Sequence, residues 1–321
     1  MLSSVYTFRI TCALAIPAAV ALALSSTTQP ALAGWSKSDA LPVALQQAAS
    51  DQLNGIIYVA GGIDSNFNAV STLYGFNPET NASTQLANMP GAKYGQAIAD
   101  VNGQLYLAEG NNGSQNTADL WIYDPPTNTW TTGPSLSQSC GGGVAANMSG
   151  QLYVYCVYGG GTINLFESYN PTSGNWTNLV GPAYVHGGGT GAAINGKFYL
   201  ASGGGGNNQG NDQLEVYDPI ANVWSTLASL PTNTGTAYAY NGAINGELWV
   251  IGGYNGAFVN TVEIYDPYKN SWQTGTSLRE TSGYGTAATA YGFMYVMGGV
   301  VDNDSTPTAN TYRLSVKPAI P

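Results

Sequence analysis

Asn102-Gly103-Gln104-Leu105-Tyr106-Leu107 decides the fold, because the same phrase returns along the chain. It recurs as Asn54-Gly55-Ile56-Ile57-Tyr58-Val59, Asn195-Gly196-Lys197-Phe198-Tyr199-Leu200 and Asn245-Gly246-Glu247-Leu248-Trp249-Val250. Ser149-Gly150 and Tyr291-Gly292 replace Asn-Gly ahead of Tyr153 and Tyr295. The aromatic anchors 58, 106, 153, 199, 249 and 295 lie 48, 47, 46, 50 and 46 residues apart. Asn-Gly between apolar runs is a hairpin signal, since both turn residues must take positive φ. Each anchor therefore stands on the second strand of a hairpin.

A second phrase follows in register: Phe76-Asn77-Pro78, Tyr123-Asp124-Pro125, Tyr169-Asn170-Pro171, Tyr217-Asp218-Pro219 and Tyr265-Asp266-Pro267. Six residues beyond each Asp or Asn come Trp130, Trp176, Trp224 and Trp272, with Ser83 at that place in the first repeat. An aromatic-ended strand, an Asx-Pro turn and a Trp-bearing strand complete a four-stranded unit. One such sheet cannot bury both faces, whereas a radial stack can. The last repeat ends before its Trp strand. Trp35, with Leu41-Pro42 behind it as Leu230-Pro231 lies behind Trp224, supplies the missing piece from the other end of the chain. The expected fold is all-β: a six-bladed β-propeller closed by its N-terminal strand.

Composition agrees. Charged residues make up 8% of the chain, while Gly (42) and Tyr (22) are abundant; this suits strands and tight turns rather than exposed helices. Arg9, the apolar stretch 10–24 and Ala31-Leu32-Ala33 form a secretory signal, too short in its core for a membrane anchor. Cleavage after Ala33 is expected, leaving the propeller as 34–321, and no later stretch is apolar for long enough to span a bilayer. The mature chain is expected to be secreted or periplasmic and monomeric. Removing the first 33 of 321 residues leaves 288, or six units of 48. Without Arg9, seven Lys and Arg face eighteen Asp and Glu, a net charge of −11. Nucleic acid is therefore excluded as a partner, because phosphate recognition needs clustered cations.

Gly61-Gly62, Gly252-Gly253 and Gly298-Gly299 after the aromatic strand, then Tyr-Asp-Pro and the distal Trp, resemble the kelch repeat over residues 34–321. The resemblance implies the propeller and a binding face built from loops at one mouth; it leaves activity open. The double Gly gives way to Glu109-Gly110, Cys156-Val157 and Ser202-Gly203 in repeats two to four. Thirteen positions before the anchors, where kelch repeats carry a basic residue, stand Leu45, Lys93, Cys140, His186, Thr236 and Ser282. Antiparallel pairing brings that column towards the first, setting Lys93 with Glu109, Cys140 with Cys156 and His186 with Ser202, each 16 residues apart. Cys12 leaves with the signal, so two cysteines enter an oxidising compartment, and a Cys140–Cys156 disulfide is expected. It requires a bulge, because ideal pairing sets position 143 opposite 156. Free buried thiols are the alternative.

The loops expected at one mouth carry Gln46, Gln47, Lys93, Tyr94, Tyr184, His186, Tyr238, Arg279, Glu280 and Tyr284. Tyr rings with amides suit stacking on sugar faces and hydroxyl recognition. The single His rules out multi-histidine metal sites, Asp302-Asn303-Asp304 lacks the spacing of an EF-hand loop, and no cofactor is expected. His186-Gly187-Gly188-Gly189 has no Gly-x-Ser-x-Gly partner and carries no esterase chemistry. Two functions remain. One is an exported binding module for a carbohydrate or an exported or cell-surface protein, with Lys93, Tyr94, Tyr184, His186, Tyr238, Arg279 and Tyr284 as contacts. The other rests on a resemblance in fold, length, signal and blade count to the periplasmic N-acetylneuraminate epimerases. That resemblance implies a sugar mutarotase, with Glu109 or Glu280 as acid/base and Arg279, Lys93 and His186 on the anion.

Overall fold

Each Asn-Gly pair folds as its chemistry demands. Asn54 and Gly55 take φ of 53° and 83°, Asn102 and Gly103 52° and 83°, and Ser149 and Tyr291 adopt the same left-handed region at 54° and 50°. These turns join the two inner strands of every blade. The first blade is Ala49–Leu53, Ile56–Ala60, Leu73–Asn77 and Ala82–Gln85, ordered from axis to rim, and all neighbours run antiparallel. Later blades begin at Ala97–Val101, Gly141–Met148, Thr190–Ile194, Tyr240–Ile244 and Thr286–Ala290. This computed structural model describes residues 34–39, 41–158, 163–204, 211–231, 236–301 and 305–316. The expected signal segment (1–33) and the Asp302–Asp304 loop lie outside the described residues.

Closure takes the expected form. Ser36–Ser38 pairs antiparallel with Thr311–Ser315, so the N-terminal strand becomes the outermost strand of the sixth blade. The described residues thus form six four-stranded sheets and one two-stranded ribbon, Ser282–Gly283 with Val300–Val301. Apolar side chains fill the spaces between blades. One layer joins Val144, Tyr153, Phe166, Phe198 and Tyr217; another joins Trp35, Trp249, Ile264 and Met294.

The repeat residues turn out to be joints between blades. Indole N–H groups of Trp130, Trp176, Trp224, Trp272 and Trp35 donate to carbonyls of the preceding blade's loop (Ala87, Pro134, Val180, Ala228 and Thr276) at 2.7–2.8 Å. The seam between the last and first blades has Ser83 instead of an indole; there Ser38 donates to Asn81, and Asn81 to Asp39. Tyr123, Tyr217 and Tyr265 donate to Asn128, Asn222 and Asn270, which hold positive φ in the turns before the outermost strands.

Cys140 and Cys156 form a disulfide with Cα atoms 5.8 Å apart. The bulge it requires lies between Gly141 and Val144, where the pairing shifts register. In this third blade the second strand runs straight on to Tyr158. Elsewhere the chain breaks into left-handed turns, at Gly61-Gly62, Glu109-Gly110, Ser202-Gly203, Gly252-Gly253 and Gly298-Gly299. The second residue of each turn donates to the next blade at 2.7–3.2 Å, on the carbonyls of Lys93, Cys140, Thr236, Ser282 and Leu45. That column of carbonyls is the one thirteen places before the anchors.

Candidate functional site

The strands entering the blades begin at the axis on the face where second and third strands are joined. There, eleven places before the anchors, Gln47, Gly95, Gly142, Gly188, Tyr238 and Tyr284 all take positive φ, between 54° and 64°. Their amides form a closed circle. Gly95 donates to Gln47, Gly142 to Gly95, Gly188 to Gly142, Tyr238 to Gly188, Tyr284 to Tyr238 and Gln47 to Tyr284, at 2.5–3.0 Å. Six backbone hydrogen bonds therefore frame the mouth of the channel.

Side chains divide this frame unequally. Blades two to four contribute glycine, so one arc is bare backbone. The first, fifth and sixth contribute Gln47, Tyr238 and Tyr284, forming a wall on the other arc. The rings of Tyr238 and Tyr284 stack at 4.3 Å and 20°, and Phe258 meets Tyr284 edge-on at 5.8 Å. Gly188 must lack a side chain, because its Cβ would fall 2.8 Å from the Tyr238 ring. Burial raises the Tyr238 phenol, and burial with neighbouring phenols raises Tyr284 to about 12, so both remain neutral hydrogen-bonding groups at physiological pH.

A cavity of about 330 Å³ opens over the glycine arc, lined also by Tyr94, Asn111, Asn116 and Tyr238. Asn111 Nδ2 donates to Asn116 Oδ1 at 2.9 Å, and Tyr94 and Asn111 exchange backbone hydrogen bonds, so this polar wall is preorganised. The cavity leads into the upper channel, where Gln47, Ser50, Asn241 and Thr286 offer polar groups between Ala and Gly. Among the described residues no charged side chain lines either part.

Of the sequence-derived contacts, Tyr94, Tyr238 and Tyr284 meet at the mouth. The charged ones do not, and the expectation is corrected. Lys93 is fully buried, 3.4 Å from Asp119 and 3.9 Å from the centre of the Trp121 ring. Burial lowers its pKa against the pull of Asp119 and Glu109. Glu109, also fully buried, lies behind Gly143 at φ 55°; burial lifts its carboxyl well above the usual range, opposed by Lys93 and nearby amides. His186 is enclosed between the Ser202 carbonyl at 2.6 Å and Glu215 at 3.1 Å. Both ring nitrogens are thus occupied within the fold and neither reaches the mouth. Glu215 in turn receives the amides of Ala183 and Tyr184. Tyr184 is exposed on that loop and does not line the channel.

Arg279 Nε donates to the Trp35 carbonyl at the outer strand of the sixth blade, away from the axis. Glu280 accepts from Asn310 and Tyr312 in a small crevice beside Leu278 and Val296. Neither Glu109 nor Glu280 reaches the mouth, so the acid/base pair expected from the resemblance is not assembled there.

Two features escaped sequence reasoning. The left-handed circle was legible only as three glycines in one column. The lower channel holds Asp51 and Asp100 on adjacent blades. Asp51 accepts the Gln52 and Asp100 amides at 2.7 Å, yet burial and then the Asp100 charge raise its pKa to about 7.

The Kelch motif family model matches residues 46–90, 93–137, 184–231 and 241–279, more than half of the chain. The chain belongs to the kelch-repeat family. This kelch chain is 31% identical over 106 residues to an F-box/kelch-repeat protein of Arabidopsis thaliana, covering 32% of the chain and 28% of that protein. It is 23% identical over 209 residues to Kelch-like protein 35 of Mus musculus, covering 64% and 33%. It spans about a quarter to a third of the length of these curated relatives. Among solved structures, YjhT superposes with a TM-score of 0.75 at 18% identity, covering 87% of this kelch chain and 97% of that one.

Proposed function

We propose that this kelch propeller is an exported binding module whose mouth holds a carbohydrate. The observation that carries the reading is the asymmetric frame. A stacked Tyr238–Tyr284 pair stands on one arc, a bare glycine floor on the other, and neutral amides and hydroxyls surround the space between. Sugar rings present an apolar face for stacking and peripheral hydroxyls for amides, so the wall and rim match both halves of such a ligand. The Cys140–Cys156 bond favours an oxidising compartment, in keeping with export.

The epimerase reading has weaker support. It requires cations on the sugar carboxylate, whereas Lys93, His186 and Arg279 are engaged elsewhere. Glu109 and Glu280 are likewise held away from the channel.

A glycan microarray with the purified protein, followed by calorimetry on the best binder, tests the proposal. Tyr238→Gly copies the residue already present at this place in three blades and keeps the backbone circle. We expect it to weaken saccharide binding at least about tenfold while the protein stays folded, since aromatic stacking and the buried ring area are lost. Equal binding by wild type and variant removes the mouth from the reading. Binding of exported proteins alone, with no saccharide, replaces carbohydrate by the protein-partner alternative.

A further inference from the structure

We infer that the mouth selects by charge: its ligand is a neutral or amino-bearing saccharide end, and carboxylated sugars are turned away. This rests on the carbohydrate reading above and narrows it to a chemical class.

The first observation is where the cations are. Lys93 is buried against Asp119 and Trp121, and His186 against Glu215. Lys197 and Lys269 pair with Asp218 and Asp266 on the turns of the opposite face. Arg279 is bonded to the Trp35 carbonyl, Arg313 lies over Phe293, and Lys37 sits on the outermost strand of the sixth blade. Thus no cation of the described residues lines the mouth or the upper channel. The internal positions outside that set, 40, 159–162, 205–210, 232–235 and 302–304, contain no Lys, Arg or His, and 302 and 304 are Asp. The other cation after residue 33, Lys317, follows Val316, whose amide donates to Gly292 in a turn of the opposite face.

The second observation is what lies beneath. Ser50, Ile98, Ala145, Gly191 and Asn241 line both the upper channel and the lower one, so the two are continuous. Asp51 and Asp100 face that lower part. Four residues of extended chain separate Gln47 at the mouth from Asp51, about 13 Å at the usual strand rise. The negative charge of this pair, carried by Asp100 and the ionised fraction of Asp51, lies at that range along a low-dielectric tube and repels an incoming anion more than it would in bulk water. A carboxylated sugar thus meets a repulsive field and no counter-charge. A neutral sugar meets only stacking and hydrogen bonds, and an ammonium group is drawn inward.

Two measurements test this. The first compares a bound neutral saccharide with its carboxylated and amino counterparts of the same ring by calorimetry at low ionic strength. We expect the carboxylated form to bind about tenfold or more weakly than the neutral one, and the amino form at least as tightly as the neutral one. In Asp51→Asn/Asp100→Asn the penalty on the acid should shrink several-fold. A carboxylated form that binds as well as the neutral one, or a penalty unchanged in the double variant, overturns the inference. The second needs no saccharide to bind. Cationic and anionic nitroxides of equal size are added, and relaxation of the Gly95, Gly142 and Gly188 amides is compared with that of outer-strand amides such as Thr131. Preferential broadening of the mouth by the cation, reduced in the double variant, is expected; no preference, or preference for the anion, overturns the inference. Should no saccharide of any charge bind, the carbohydrate reading falls and this second measurement still decides the charge selection.

Discussion

Asp51 is the side chain whose surroundings conflict most with its charge. Two amides favour the carboxylate, but burial and the Asp100 charge outweigh them and lift its pKa from 3.8 to about 7. Between about pH 4 and pH 7 the folded protein therefore keeps a proton that the unfolded chain has released. For this group the sign follows: stability is greatest at the acid end of that window, declines as pH rises through it, and is level above about 7. Because Asp51 is partly solvent-accessible, the effect is expected to be about 1–2 kcal/mol rather than the larger value of a sealed site. Asp51→Asn retains the acceptor for the Asp100 amide while removing the charge. Urea titrations at pH 4.5, 6 and 8 should show a flatter profile for the variant and greater stability than wild type at pH 8. Parallel profiles in the two proteins would contradict the account. At the mouth the same local logic runs through φ. Tyr238 and Tyr284 accept left-handed backbone at 56° and 58°, a conformation of modest cost for a non-glycine residue, and thereby place their rings across the channel.

Among the elements, the third blade differs from its neighbours because a covalent bond replaces a glycine turn. Its second strand continues through Cys156 and Val157 without the left-handed pair, and the disulfide ties that strand to the segment leading to Gly141 and Gly142 at the mouth. A cross-link spanning 16 residues is worth about 3 kcal/mol through restriction of the unfolded chain. Cys140→Ser/Cys156→Ser should lose that much in chemical denaturation, and reduction of wild type should bring it to the same midpoint. A variant as stable as the oxidised protein would leave the bond without energetic consequence. Much of this level was legible in the sequence. Asn-Gly fixed the inner hairpins, the Trp offset fixed the outer strands, and the 16-residue offset with the necessary bulge located the cysteine pair. The depth of polar groups was not legible. Position on a loop gives the face of the disc; whether Lys93 points to the axis or between blades depends on Asp119 and Trp121, which lie on another loop and strand. His186 is drawn inward by Glu215 for the same reason. The sequence places Gln47, Tyr238 and Tyr284 at the mouth, but three glycines without side chains do not advertise the backbone circle they complete with them.

The whole molecule depends on a ring that must close, and its seams are unequal. Five blade junctions are fastened by an indole N–H to a backbone carbonyl. The sixth, between last and first blades, has no indole. At its rim it relies on Ser38, Asp39 and Asn81, and further in on the Leu45 amide on Thr308, the Gly299 amide on Leu45, the Gln47 amide on Tyr284 and the Ser50 hydroxyl against Thr286 and Ala287. The strand Ser36–Ser38 adds its three ladder pairs to the last blade, with Trp35 only 1% exposed against the fifth. Removing residues 34–42 strips the sixth blade of its outer strand, exposes the edge Thr311–Ser315 and deletes a buried indole. Loss of the Trp35 contacts alone costs about 3–5 kcal/mol. Because neighbouring blades share their cores, opening one seam also weakens the alignment of the six amides around the mouth. The truncated protein should melt well below wild type, form oligomers through the bared edge in light scattering, and lose protection from hydrogen exchange at Gly95, Gly142 and Gly188. Trp35→Ala should reproduce the loss of stability without the oligomers, since its strand backbone still covers the edge. A truncated chain that melts with wild type and keeps those three amides protected would mean that the first and last blades are held together without the N-terminal strand.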